Sequence, residues 1–174
     1  MQKGNEMKKV AIVTGSGHGL PEEIVKEYNI NIVPFGISIG NESYKDGFDI
    51  TADELIKMIY EKKINPKTSA LNTADLINTY KSLKQEGKSV ISIFTSSKLS
   101  AATFEAAKNA KENVGEEDIE IVDSLQAGSG KELIVLEAAK LAKEGKSKEE
   151  VLEHTRKVIS RTNIIYGIHG VMYL

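Results

Sequence analysis

Unbroken apolar runs that each hand over to a helix-patterned stretch constrain this chain more than any other feature. Val10-Ala11-Ile12-Val13-Thr14 offers no polar side for water, as expected of a strand covered on both faces. Ser89-Val90-Ile91-Ser92-Ile93-Phe94 and Ile119-Glu120-Ile121-Val122 read the same way, Asn31-Ile32-Val33-Pro34-Phe35 is a further strand, and Asn163 to Ile168 is expected to be a fifth. Between them, Pro21 suits the first turn of a helix running to about Tyr28. Gly36 to Asp49 alternates apolar and polar residues around Gly40-Asn41, the pattern of a small hairpin. Thr51-Ala52-Asp53-Glu54 and Ser147-Lys148-Glu149-Glu150 are capping boxes that open two more helices. Ala74, Ile77, Tyr80 and Leu83 mark another, and Leu99, Ala102, Ala106 and Ala110 form a small-residue stripe. Leu133 to Leu141 is apolar on most sides and predicts a buried helix.

Strands alternating with helices specify an α/β domain with a mostly parallel sheet and helices on both faces. It is expected over residues 9–174, after a flexible stretch at 1–8. Such sheets bind ligands at the carboxyl ends of their strands. The loops after Val13, Phe94 and Val122, with the segment after Pro66, therefore carry the candidate sites.

Composition removes several functions. The formal net charge is -2 and no basic cluster stands without matching acids, so nucleic acid has no electrostatic footprint. With no cysteine, thiol catalysis and zinc-thiolate sites are excluded. No apolar run reaches the length of a membrane span, so stable membrane insertion is not expected. The polar Met1 to Lys9 lacks the core of a signal peptide, which leads to a cytoplasmic expectation, with Met7 an alternative start.

The loops offer hydroxyls and glycines rather than a nucleophile with its base. Ser96, Ser97 and Ser100 stand at a helix start, where hydroxyls and free backbone N–H groups can hold an anion; one of them capping the helix is the plainer alternative. Thr68 and Ser69 follow Pro66, and by themselves read as an ordinary turn. Asp123 and Ser124 precede Gly128-Ser129-Gly130, readable as a helix start with close backbone packing. Gly15-Ser16-Gly17-His18-Gly19 invites a dinucleotide reading, but Leu20 stands where the third glycine is needed. Gly130-Lys131 is likewise no phosphate loop, since Glu132 follows the lysine and Leu125 holds the distant glycine position. His18, His154 and His169 show no metal-ligand spacing; His154 is expected in solvent and only His18 falls in a site loop. Asp46 and Asp49 read as turn formers.

Several segments, taken in order, resemble the amino-terminal domain of the DegV family of fatty-acid-binding proteins. They are Val10 to Thr14 with Ser16, Leu20-Pro21-Glu22, Val33-Pro34, Tyr44-Lys45-Asp46-Gly47 with Asp49-Ile50-Thr51, Pro66-Lys67-Thr68-Ser69, Ser96-Ser97 with Leu99-Ser100, and Ile121-Val122-Asp123-Ser124 with Gly128 and Gly130. The resemblance implies a carrier without catalytic residues, cofactor or metal. It would bind a long-chain fatty acid with the acyl chain in an apolar tunnel, and present it to a separate fatty-acid kinase. Thr68, Ser96 and Ser97 would meet the carboxylate, with Ser16, His18, Ser69, Ser100, Asp123 and Ser124 as accessories. Each buried methylene contributes about 0.8 kcal/mol, so the acyl chain supplies most of the affinity, while the carboxylate must be hydrogen-bonded.

Three departures from the family pattern fall near the expected ligand: Gly15 where an Asp is usual, Ala70-Leu71-Asn72 for Gln-Pro-Ser, and Ala101-Ala102 for Gly-Thr. The family's second domain is expected to be absent, which would leave an apolar wall suited to a homodimer. Two other functions compete: an enzyme on a related α/β fold, working at the Ser96-Ser97 loop with His18 or Asp123, and a non-catalytic protein-interaction module.

Overall fold

The computed structural model describes residues 8–115 and 117–167. In chain order the elements are β1 (Val10–Gly15), α1 (Glu22–Glu27), β2 (Asn31–Val33), β3 (Phe35–Ile39), β4 (Glu42–Lys45), α2 (Ala52–Lys62), β5 (Lys67–Leu71), α3 (Thr73–Gln85), β6 (Ser89–Phe94), α4 (Ala101–Val114), β7 (Ile119–Asp123), α5 (Gly128–Lys143) and α6 (Lys148–Arg161). Four strands form a parallel sheet in the order β2-β1-β6-β7. A smaller antiparallel sheet runs β4-β3-β5.

The unbroken apolar runs follow from two separate cores. On one face Ala11, Val13, Val90 and Phe94 pack against Leu76, Tyr80 and Leu83 of α3 and Phe104, Ala107 and Ala110 of α4. On the other, Val10, Ile12, Ile91 and Ile93 meet Ile134, Val135 and Ala138 of α5 and Val151, Leu152 and Val158 of α6. Alternate residues of one strand thus feed opposite cores, and none can be polar without a partner. The exceptions have partners. Thr14 Oγ1 donates to Ile93 O at 2.8 Å. Ser92 shares a 2.8 Å hydrogen bond with the hydroxyl of the fully buried Tyr80. Both expected capping boxes form, at Thr51–Glu54 and Ser147–Glu150.

Several expectations are corrected. The run Asn31 to Phe35 is not one strand: it breaks at Pro34, which has no N–H for a ladder, and Phe35 opens β3 in the second sheet. The segment after Pro66 is not a turn but β5, paired with β3, with Ile37 opposite Thr68 and Gly36 opposite Ser69. The stripe on α4 is shifted in phase. Leu99 precedes the helix and is 71% exposed, Ala102 is exposed, and the buried face is Thr103, Phe104, Ala106, Ala107 and Ala110. In α5 burial is one-sided, with Leu133 exposed. His154 is half-buried with Nε2 3.6 Å from Glu137, not in solvent. The fifth strand does not form over residues 163–167, so β7 is a free edge among the described residues; Ile168 and His169 lie outside them, as do residues 1–7.

The Tyr80–Ser92 bond also sets a pH response. Burial pushes the Tyr80 hydroxyl up to about 12, while Ser92 pulls weakly the other way. The unfolded value is about 10. The neutral form is therefore favoured in the fold, and its stabilisation is complete below about pH 10 and lost as pH rises to about 12. Urea titrations across that window should show the wild type losing about 3 kcal/mol more than Tyr80→Phe. Equal losses would mean that Tyr80 ionises without cost.

Candidate functional site

The carboxyl ends of the parallel strands gather most of the candidate residues, in two groups. The first surrounds the ends of β6 and β7. Ser97 N donates to both Asp123 carboxylate oxygens, at 3.2 and 3.3 Å, and Leu125 N donates to Oδ1 at 2.9 Å. Ser96 is buried; its N donates to Gln126 O at 2.8 Å, and its Oγ accepts a long 3.4 Å bond from Lys98 N. Ser124 N donates to Phe94 O at 3.2 Å, and its Oγ donates to Gln126 O at 3.1 Å. Ser100 does not cap α4 with its side chain; its Oγ pairs with Thr103 Oγ1 at 2.8 Å. Asp123 therefore splices the loop after β6 to the loop after β7. Both of its oxygens accept from backbone N–H groups, which is a positioning role.

The second group lies at the end of β1. Ser16 Oγ donates to Asp46 Oδ2 at 2.7 Å and accepts from Phe35 N at 3.0 Å. Asp49 Oδ2 accepts from Lys45 N at 2.7 Å, the turn-forming role expected of it. Ser16, His18, Asp46, Phe48 and Glu132 help line a hollow of about 650 Å³ beside β2. His18 is held below its ordinary pKa, first by burial and then by the nearby Lys131 cation, and its Nδ1 is buried without a hydrogen-bond partner among the described residues. Among the described residues no group of three or more His, Cys, Asp or Glu side chains is placed to hold a metal ion.

Thr68 and Ser69 belong to neither group, since both are carried by β5. Residues directly opposite in an antiparallel pair share a face. Thr68 faces with Ile37 and Ser69 with Gly36, so the two hydroxyls lie on opposite sides of the small sheet. Ser69 Oγ donates to Ala70 O at 3.3 Å and fills the space above Gly36, where an added Cβ would stand 2.3 Å from it. Of the hydroxyls singled out, those of Thr68 and Ser97 are engaged by no protein group among the described residues.

A groove of about 590 Å³ runs along β7 beside α6; Ile121, Val122, Leu125, Leu152 and Ile159 give it an apolar strip, and the charged Glu120, Asp123 and Arg156 also line it. Asp123, the residue that holds Ser97, stands in its lining. The groove has the size of a small-molecule site, with apolar and charged groups side by side.

The model of an uncharacterised protein group, the DegV family, matches residues 9–174. The chain belongs to the DegV family. A DegV domain-containing protein of Caldanaerobacter subterraneus is 36% identical over 168 residues, covering 97% of this chain and 59% of the relative. One from Clostridium perfringens is 35% identical over 158 residues, covering 88% of this chain and 56% of the relative. The chain thus spans somewhat over half the length of these curated DegV relatives. Among solved structures, a stearic acid-binding protein from Eubacterium ventriosum superposes with a TM-score of 0.76 at 28% identity, covering 86% of this chain and 52% of that one. DegV, a fatty acid binding protein from Bacillus subtilis, gives 0.79 at 25% identity, covering 88% and 54%.

Against this DegV background, the Gly15 departure has a structural reason. A Cβ at Gly15 would stand 2.6 Å from Phe35 Cε2 and 3.0 Å from Cζ, with Leu71 at 3.5 Å. The Phe35 ring occupies the side-chain space of residue 15, and Leu71, itself a departure, closes the same patch. Sequence reasoning missed Phe35, Lys131 and Glu132. Lys131 was legible as part of a buried stripe, since Ile134, Val135 and Ala138 follow it at helical spacing. Gly15→Ala should cost ~1–3 kcal/mol in urea unfolding through overpacking, and adding Phe35→Leu should recover most of it. A full-sized loss in the Phe35→Leu background would show that the ring is not the obstacle.

Proposed function

We propose that this DegV protein is a lipid carrier that binds a long-chain fatty acid, holds its carboxylate with the hydroxyls of Thr68, Ser96 and Ser97, and presents it to a separate fatty-acid kinase. The observation that carries the reading is the pair of unengaged hydroxyls. Ser16, Ser69, Ser100 and Ser124 all have internal partners, whereas Thr68 and Ser97 have none among the described residues. Free donors where the family's ligand is expected suit an anionic head group. The fatty-acid-binding relatives in Eubacterium ventriosum, Thermus thermophilus and Bacillus subtilis support the ligand class.

In this reading the acyl chain enters the groove between β7 and α6, and Ser97, held over its mouth by Asp123, meets the carboxylate. Ser16, His18, Ser69, Ser100, Asp123 and Ser124 act on the frame rather than on the ligand. The phosphoryl chemistry lies with the partner. No helix among the described residues is long and apolar enough to cross a membrane. Leu99, Leu125 and Tyr166 are exposed large apolar side chains, and we assign to them the surface that a second copy of the chain would cover.

Native mass spectrometry of the purified protein, with organic extraction, should reveal an added mass matching a fatty acid. Thr68→Val and Ser97→Ala should each weaken fatty-acid binding by roughly tenfold or more, the cost of one hydrogen bond to a charged group, with unchanged thermal unfolding. Affinity unchanged in both variants would remove the head-group assignment.

A further inference from the structure

Lys131 is the most unusual side chain in the molecule. It is only 1% exposed, in the first turn of α5, and no carboxylate pairs with it among the described residues. Its Nζ donates to a single acceptor, Gly17 O, at 2.7 Å. An ammonium buried beside the positive end of a helix is costly, and an apolar side chain of similar size would avoid the cost. What the ammonium does is hold a loop. The adjacent Glu132 holds the same loop two residues on, accepting from Gly19 N at 2.6 Å.

That loop is the midpoint of a continuous connection. On one side, Ser16 Oγ accepts from Phe35 N and donates to Asp46 Oδ2, and Asp46 N donates to Phe35 O at 2.9 Å. Phe35 opens β3, whose next residues pair with Ser69 and Thr68. On the other side, α5 starts directly after the turn in which Asp123 and Gln126 grip the backbone of Ser97 and Ser96. The Thr68 strand belongs to the small sheet and the Ser96-Ser97 loop to the large one. The β1–α1 loop is one hydrogen-bonded link between them; the exposed ion pair of Lys45 on β4 with Asp75 on α3, at 2.9 Å, is a second, and it does not involve α5.

We infer that Lys131 is a positioning residue: by pinning Gly17 to α5 it fixes the small sheet, and hence Thr68, relative to Ser96 and Ser97. The inference rests on the head-group reading above. It assigns Lys131 no contact with the ligand. Loss of the ammonium should leave both halves of the site folded but free to shift against each other, and a misplaced donor contributes little to a charged head group.

The test is a double-mutant cycle on the purified protein, read by titration with the fluorescent long-chain fatty acid cis-parinaric acid. Lys131→Met keeps the volume and removes the donor. It should weaken binding about tenfold when Thr68 is present and by less than about twofold in the Thr68→Val background. A residue that merely stabilises the fold would weaken binding equally in both backgrounds, and that additive result would overturn the inference while leaving the head-group reading intact. If Thr68→Val alone leaves binding unchanged, Thr68 is not a head-group contact and this inference falls, while the head-group reading itself falls only if Ser97→Ala is also without effect. Should Lys131→Met fail to fold, Ser16→Ala breaks the next link and carries the same cycle, with the same two outcomes deciding.

Discussion

Sealing both faces of one short parallel sheet is the constraint on which the rest of this molecule depends. β1 and β6 lie at its centre and carry apolar side chains to two cores at once, one under α3 and α4, the other under α5 and α6. Polar groups can survive there only when paired, as Thr14 and Tyr80–Ser92 are. Chemistry is therefore pushed to the strand ends, where backbone donors of the loops are free. Most polar residues of the candidate site stand within a few residues of a strand's carboxyl end; Thr68 and Ser69 on β5 and Lys131 and Glu132 on α5 do not.

Much of this was legible from the sequence for a physical reason. A strand buried on both sides must be apolar throughout, and a capped helix must show its hydroxyl and its acid three residues apart. What escaped the reading was structure made by partners rather than by local pattern. β5 has three exposed residues in five and no periodicity; it is a strand because β3 offers it a ladder. The Asn163 to Gly167 run has strand-forming residues, yet β7's edge stays empty among the described residues, so propensity without a partner produced nothing. Of the site, the hydroxyl-bearing segments could be named, but not which hydroxyls were already spent. That distinction, between Ser124 bonded to Gln126 and Ser97 left open, exists only in three dimensions.

The electrostatics of the site are economical. Burial holds both His18 and Lys131 below their ordinary pKa values, and the nearby Lys131 cation lowers His18 further. Asp123 accepts from two backbone N–H groups while standing in the lining of the groove.

The packing of Phe35 over Gly15 ties two positions twenty residues apart into one unit of change. A side chain at 15 must displace the ring, whereas a smaller residue at 35 leaves only a modest void. The less costly path from this arrangement to a larger residue at 15 therefore changes 35 first, so one ring biases the order in which two distant positions can vary.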